Sequence, residues 1–556
     1  MRILVTASMI AGLAGGAQMA NARPAPSYRA VVIESPRPEA NGLFESAGDD
    51  SPPDINGDGV ADIFAYNQSY DGADTGHVFI FSGATRRLLR TIANPRPQVG
   101  SGFGPVLNLG DVNHDGVADF AVSAPGEDVG ANQGQGVLWV FEGKTGNVLY
   151  EVNDPQPAAG AGFGFGVSTG DLNGDGIRDL VLVDGSYDAT TVPGTGTVYA
   201  FSGKDGRLLW QVPNPSGTPP SALSVHDTGD VNGDGVDDIL VGAPPPFGVP
   251  GVGHAYLLDG RNGRVIRTLT DPTESPSSGF GSFWNGGPGA PGDINGDGVR
   301  DISVAASTED VGGLSKAGAL FLFSGRNGSL IREITSPLPQ QLGFFGYDSA
   351  LAGDLTGSGH QDLLVTQTGC CFHSSVMAKG GAWVFDPRTG RMLVDFTQSA
   401  PGAGQQLETV GDLNGDGYPD YVLGAPRTDV GSNAFQGRIY VELSSGPRLR
   451  PQLTDYVRPH SRRTLPYVFT VTGRVIAPLG LISPCRTGRV SITANAGRQT
   501  LRTWVRKVRS DCTYRARIVI PSQPGLAGRT VALVVRFGGN NIIVPARAKK
   551  LIVRAG

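Results

Sequence analysis

DVNGDGVDDIL, residues 230–240, places an oxygen-bearing side chain at positions 1, 3, 5 and 9 (Asp230, Asn232, Asp234, Asp238), a glycine at position 6, and the main-chain carbonyl of Val236 at position 7. One short turn of this spacing can wrap a hard cation that prefers about 6 to 8 oxygen ligands, which points to calcium. The phrase recurs as DINGDGVADIF at Asp54, DVNHDGVADFA at Asp111, DLNGDGIRDLV at Asp171, DINGDGVRDIS at Asp293, DLTGSGHQDLL at Asp354 and DLNGDGYPDYV at Asp412. Self-similarity at a period of about 60 residues means a repeat architecture.

Each copy continues with a short apolar run such as DFAVSAP, a Gly-rich loop, a second run such as GVLWVFEG, a turn such as KTGN and a third run such as VLYEV. A further run, GFGPVLNLG in the second copy, leads into the acidic phrase. Four short strands per repeat describe a propeller blade, and glycine and asparagine in SGKDGR and SGRNGS supply the positive φ that tight hairpins need. The last copy lacks a clear fourth strand, whereas YRAVVIE (28–34) is an isolated strand before the first. An N-terminal strand that completes the last blade would close the ring and remove its open edges. The expected fold is all-β: a seven-bladed β-propeller over residues 29–446, followed by a smaller domain.

The expected calcium ligands are Asp54, Asn56, Asp58, Val60 and Asp62; Asp111, Asn113, Asp115, Val117 and Asp119; Asp171, Asn173, Asp175, Ile177 and Asp179; Asp230, Asn232, Asp234, Val236 and Asp238; Asp293, Asn295, Asp297, Val299 and Asp301; and Asp412, Asn414, Asp416, Tyr418 and Asp420. Position 7 contributes only its carbonyl. Magnesium suits so crowded a protein cage poorly, and zinc or copper would want His or Cys. In the sixth copy Thr356 and Ser358 replace Asn and Asp, so the loop at Asp354 is expected to be empty, its turn held by side-chain to backbone hydrogen bonds.

Composition agrees with this reading. The 556 residues include 83 Gly and 40 Pro, which favours short strands and many turns over long helices. Residues 1–22, with Arg2, an apolar stretch, and Ala20 and Ala22 spaced as a peptidase site, read as an export signal. The expected location is outside the cell, secreted or associated with a cell surface; no later stretch is apolar for the ~18–20 residues a membrane span needs. The formal charge of −6 hides an asymmetry. Residues 1–446 carry 24 Lys+Arg against 49 Asp+Glu, and residues 447–556 carry 21 against 2.

In that basic region 447–465 is Pro/Arg-rich and reads as a linker. Five strand-like runs at about ten-residue spacing then suggest a small Ig-like β-sandwich over 466–556, tied by a Cys485–Cys512 disulfide. Cys370 and Cys371 are adjacent, and two thiols or a strained vicinal bridge are equally open. The basic region could contact acidic glycans, other polyanions or nucleic acid, the last disfavoured because no aromatic platform is evident, or it could dock on the acidic propeller.

The acidic loops, with GFG before them (Gly102-Phe103-Gly104, Gly162-Phe163-Gly164, Gly279-Phe280-Gly281) and GAP after (Gly242-Ala243-Pro244, Gly424-Ala425-Pro426), resemble FG-GAP repeats, which form the N-terminal propeller of integrin α subunits. The resemblance covers about residues 29–446. It implies calcium loops on one face and ligand contacts on the other, here through loops 66–76, 125–136, 244–253 and 368–380. Departures are SALS (221–224) where GFG is expected and Val183-Asp184-Gly185 for GAP. Integrin leg domains are absent, so an integrin heterodimer is not implied.

None of the seven scattered histidines pairs with a GxSxG or HExxH motif, and no carboxylate pair outside the acidic loops stands out as an acid/base couple. The expected function is non-catalytic adhesion or binding of a protein or glycan ligand. The alternative is a calcium-dependent glycan-binding or glycan-cleaving propeller, for which Trp210, Trp284 and Trp383 are the only hints.

Overall fold

The computed structural model describes residues 25–47, 52–67, 75–184, 196–216, 223–245, 250–282 except 277, 291–368 and 379–446. In the basic region it describes 452–458, 461–462, 466–476, 488–538 except 498, 510 and 521–525, and 546–555 except 549. The regular elements among these residues are all strands, and no helix among them is long and apolar enough to cross a membrane.

Seven small antiparallel sheets follow one another along 27–445 and form the seven blades. Blade 2 is typical: Val106–Gly110, Asp119–Ala124, Val137–Phe141 and Val148–Asn153 pair in chain order. Its two middle strands, DFAVSA and VLWVF, are buried along their whole length, because each blade is covered on both faces by its neighbours. The fourth strand lies outermost and is largely exposed or half-buried, with Val152 alone of its residues buried. Blade-to-blade cores are aromatic, as where Phe64 of blade 1 meets Phe120 of blade 2 edge-on at 5.3 Å.

In five of the seven blades a leading phenylalanine plugs the space between blades: Phe44, Phe103, Phe163, Phe280 and Phe345 are all buried. The departure at SALS is explained by Leu223, which is fully buried in the same role. Ring closure is as expected. The strand Ser27–Glu34 pairs residue for residue with Arg438–Ser445 and completes blade 7, with Tyr28 packed edge-on against Phe396 at 5.0 Å.

A second device, not anticipated from sequence, links successive blades. The third residue of an outer strand reaches over to the next blade's hairpin and donates to a carbonyl there. Arg90 donates to Gly143 at 2.6 Å, Tyr150 to Gly203, Trp210 to Gly260 at 2.7 Å, Arg267 to Arg326 at 2.7 Å and Arg332 to Arg388 at 2.9 Å. Trp210 is therefore a clasp and Trp383 is a buried core residue; Trp284 lies outside the described residues.

Inner strands of neighbouring blades touch and surround the axis. On one of them, Ser224–Gly229, His226 is buried, and burial pushes its pKa down to about 3 from 6.5. Its folded value lies below the unfolded one, so protonation favours unfolding. Its contribution to stability is complete above about pH 6.5 and is lost as pH falls toward 3. Melting curves across this range should show His226→Gln losing less stability on acidification than the parent chain; an equal acid slope would contradict this assignment.

The basic region folds as two facing sheets. One pairs Gln452–Arg458, Tyr467–Ile476 and Thr513–Ile520. The other runs Ser461–Arg462, Leu551–Ala555, Arg529–Phe537, Arg489–Ala496 and Gln499–Lys507, with Ala546–Arg547 beside Arg529–Phe537. Phe469, Ile492, Trp504, Tyr514, Ile518 and Val535 fill the space between them. The stretch 447–465, expected as linker, contributes two strands. Its Pro/Arg content hides a period of two in which Val457 is buried while Thr454, Tyr456 and Arg458 are exposed. Cys512 is buried in this core; Cys485, Cys370, Cys371 and the export signal lie outside the described residues.

Candidate metal-loop face

In six blades the acidic phrase joins the first and second strands, and in blade 5 it runs into Ile302–Ala306, the counterpart of a second strand, so all of them emerge at one end of the ring. Loops between second and third strands, such as 125–136, emerge at the other. In loop 230–238 the backbone turns on Gly233 and Gly235, at φ +83° and +86°. A left-handed conformation is cheap for glycine alone, and all seven loops have glycine at position 6. At position 4 the second loop carries His114, exposed at φ 62°. Replacing it with glycine should stabilise the chain by about 0.5–1 kcal/mol, read as a higher denaturation midpoint at constant slope. A lower midpoint would show that the imidazole makes a needed contact.

The side chains at positions 1, 3 and 5 fold back on the turn. Asp230 accepts from the N–H of Gly233 at 2.6 Å and of Gly235 at 2.9 Å, Asn232 from Asp234 at 2.9 Å, and Asp234 from Val236 at 2.9 Å. The loops at Asp54, Asp171 and Asp293 repeat this set. The loops at Asp111 and Asp412 keep its main bonds. In the sixth loop Asp354 accepts from Ser358 and Gly359, and His360 N–H donates to Ser358 Oγ at 3.2 Å where a carboxylate serves elsewhere. The Ser358 hydroxyl thus stands in for the position-5 carboxylate, while Asp354 keeps its own bonds to the turn.

Position 9 behaves differently from the other three. Asp62, Asp119, Asp179, Asp238, Asp301 and Asp420 are all completely buried. Asp238 accepts from the N–H groups of Val231 at 3.0 Å and Asn232 at 2.9 Å, from Asn232 Nδ2 at 3.0 Å, and from Gly260 N–H at 3.3 Å. Gly260 belongs to the hairpin between third and fourth strands, so this carboxylate staples the loop to its own blade. Gly83, Gly143, Gly203 and Gly325 play the same part for Asp62, Asp119, Asp179 and Asp301, and Ser444 N–H for Asp420. A Cβ on Gly260 would lie 1.8 Å from the Asp237 carbonyl oxygen, so only glycine allows the approach. In blade 6 the position is Pro387, which has no N–H to give.

Burial raises the pKa of these staples, against the opposing effect of their backbone hydrogen bonds, with a further upward push from a neighbouring carboxylate. Asp62, Asp179 and Asp238 reach about 6 and Asp420 about 7. Among the described residues no group of three or more His, Cys, Asp and Glu side chains gathers to hold a metal ion, because the position-9 carboxylate is turned toward backbone donors. The donor chemistry nonetheless fits a hard cation. Every side-chain donor is oxygen, the turn is already formed, and each oxygen that accepts one N–H keeps a second lone pair.

At the opposite end, Glu127 in loop 125–136 is buried and accepts from Arg96 at 2.6 Å, Asn94 at 2.9 Å and Trp139 at 3.3 Å. The same loop holds the next blade through Gln135 O, which accepts from Phe163 N–H at 2.8 Å. This part of the expected ligand face is therefore braced by hydrogen bonds to its own and the next blade. The segments 68–74, 246–249 and 369–378 of the other expected ligand loops lie outside the described residues.

The FG-GAP repeat family matches residues 103–141, 227–258 and 404–441, which are blades 2, 4 and 7. The chain carries FG-GAP repeats. It is similar to integrin alpha-5 of Xenopus laevis, 30% identical over 216 residues, covering 36% of this chain and 19% of that protein. The chain spans about a fifth of the length of the first curated relatives it matches. Among solved structures, the Dos1 propeller aligns with a TM-score of 0.43 at 11% identity, covering 76% of this chain and 95% of that one. The rhamnogalacturonan lyase YesW aligns with a TM-score of 0.43 at 16% identity, covering 76% of each.

Proposed function

We propose that this protein is an exported, calcium-binding propeller that acts outside the cell as a non-catalytic adhesion or ligand-binding protein. The observation that carries the reading is the segregation of the two ends of the ring, with six complete acidic turns at one end and the second-to-third-strand loops at the other. In each complete loop the side chains at positions 1, 3 and 5 and the carbonyl at position 7 would hold the ion: Asp230, Asn232, Asp234 and Val236 in the fourth. Asp238 and its equivalents would lie behind them as both staple and local negative charge. A bound ion supplies neutralisation of those carboxylates and a cross-link across the turn. The N-terminal 22 residues would direct export, and in the oxidising space outside the cell Cys485 would pair with Cys512, a link that a non-reducing peptide map would display.

The test is binding of the immobilised full chain to panels of extracellular-matrix proteins and polysaccharides, with calcium and with EGTA. The reading expects capture that disappears in EGTA and leaves the captured molecule intact. Depolymerisation of a captured polysaccharide would instead establish the glycan-cleaving alternative.

A further inference from the structure

The outward face of the three-stranded sheet in the basic region carries a regular array of cations and hydroxyls. Strand pairing places Arg474 opposite Thr454 and Thr513, Thr472 between Tyr456 and Arg515, and Thr470 between Arg458 and Arg517. Strands lie about 4.8 Å apart and same-face neighbours along a strand about 7 Å apart, so the four guanidinium groups share one surface. Arg458, Arg474, Arg515 and Arg517 are all exposed. The ion pairs among the described residues lie in the ring, between residues 34 and 438. The region's two acids do not interrupt the array. Asp455 alternates to the core side of its strand beside Gly473, and Asp511 sits in the turn before Thr513, to which it is hydrogen-bonded, near Arg474 and Arg509.

The face also has shape. A shallow cleft of about 410 Å³ runs along Thr454, Tyr456, Thr472, Arg474 and Arg515. Small-ligand clefts begin at roughly 300 Å³. Tyr456 is 44% exposed, and the Arg458 guanidinium lies over its ring at 4.9 Å, which holds the aromatic plane in place. A single exposed aromatic among threonine hydroxyls and guanidinium forks matches a saturated sugar ring bearing anionic groups. The ring's C–H face lies on the tyrosine, its hydroxyls bond the threonines, and carboxylate or sulfate meets the arginines. A nucleic-acid strand would instead use several stacking platforms.

We propose that this sheet face binds an acidic polysaccharide, with Arg458, Arg515 and Arg517 as the charge contacts and Tyr456 as the sugar platform. The experiment is calorimetry of the full chain with heparin and with polygalacturonate, neutral dextran serving as the uncharged reference. Two variants with equal charge loss are compared: R458Q/R515Q/R517Q on this face and R489Q/R502Q/R536Q on the other sheet. The expected result is binding of at least one acidic polymer and no binding of dextran. Affinity should fall about tenfold in the first variant, as for three exposed charge contacts acting together, and less than about threefold in the second. Tyr456→Ala should weaken binding without changing its salt dependence. Equal losses in both triple variants, no loss in the first, tighter binding to single-stranded DNA than to either acidic polymer, or salt-sensitive self-association in place of polymer binding would each overturn the proposal.

Discussion

Deletion of residues 27–34 should leave the seventh blade unfolded and the chain prone to associate. The strand Ser27–Glu34 makes eight residue pairs with Arg438–Ser445 and is the only part of blade 7 that comes from the N-terminal end of the ring. Tyr28 stacks among Phe396 and Tyr421, its hydroxyl donates to Pro419 O at 3.2 Å, and Ile33 is buried. Burial of these side chains and the ladder together are worth at least about 5 kcal/mol, a large part of the total stability of a typical domain. The loss also exposes the unpaired edge of Arg438–Ser445, which invites pairing with another chain. Protease cutting between 407 and 445 and a shift to larger species on size exclusion would report both effects. A synthetic peptide of residues 25–36 should reverse them, because it restores the eight-pair ladder to Arg438–Ser445. A deletion variant that melts and elutes like the parent would show that the ring does not depend on this closure.

Two substitutions four residues apart should separate the staple from the ion site. Asp238→Ala removes the acceptor for Val231, Asn232 and Gly260 N–H and for the Asn232 amide, leaving buried donors unpaired. At about 1–3 kcal/mol for each group stranded, the cost is about 3 kcal/mol or more, and it should appear with calcium and with EGTA alike. Asp234→Asn keeps an oxygen to accept from Val236 and sits at the surface, so its cost in EGTA should be within about 0.5 kcal/mol. In calcium it should melt lower than the parent, because the fourth loop loses a charged ligand. Paired melting curves in the two buffers check both statements. Equal sensitivity of the Asp238→Ala cost and the Asp234→Asn cost to calcium would merge the two roles that the geometry keeps apart.

The fold was readable from sequence because its determinants are local and repeated. The acidic phrase, the buried runs such as DFAVSA and VLWVF, and the hairpin glycines each declare themselves within about ten residues, and the isolated YRAVVIE strand sits where a ring needs closing. What sequence could not show are interactions between segments that lie far apart. Asp238 reads as one more ligand in its loop, while its partner Gly260 is 22 residues on. Arg90 reads as an ordinary exposed strand residue and Trp210 as a hint of a glycan pocket, because the carbonyls they hold belong to the next blade, 53 and 50 residues away. The strand Gln452–Arg458 was hidden by composition, since prolines and arginines around it outweigh the alternation of Val457 with Thr454, Tyr456 and Arg458.

Calcium occupancy is the point on which the proposed function turns, and calorimetric titration of the full chain, followed by melting with and without EGTA, tests it most directly. At a free concentration 100 times its dissociation constant each filled site adds about 2.7 kcal/mol to stability. Six ions per chain, one for each complete loop, with a large fall in melting temperature on chelation, is the predicted result. One ion or none, with the same melting temperature in both buffers, would contradict it and leave the acidic turns as hydrogen-bonded staples alone.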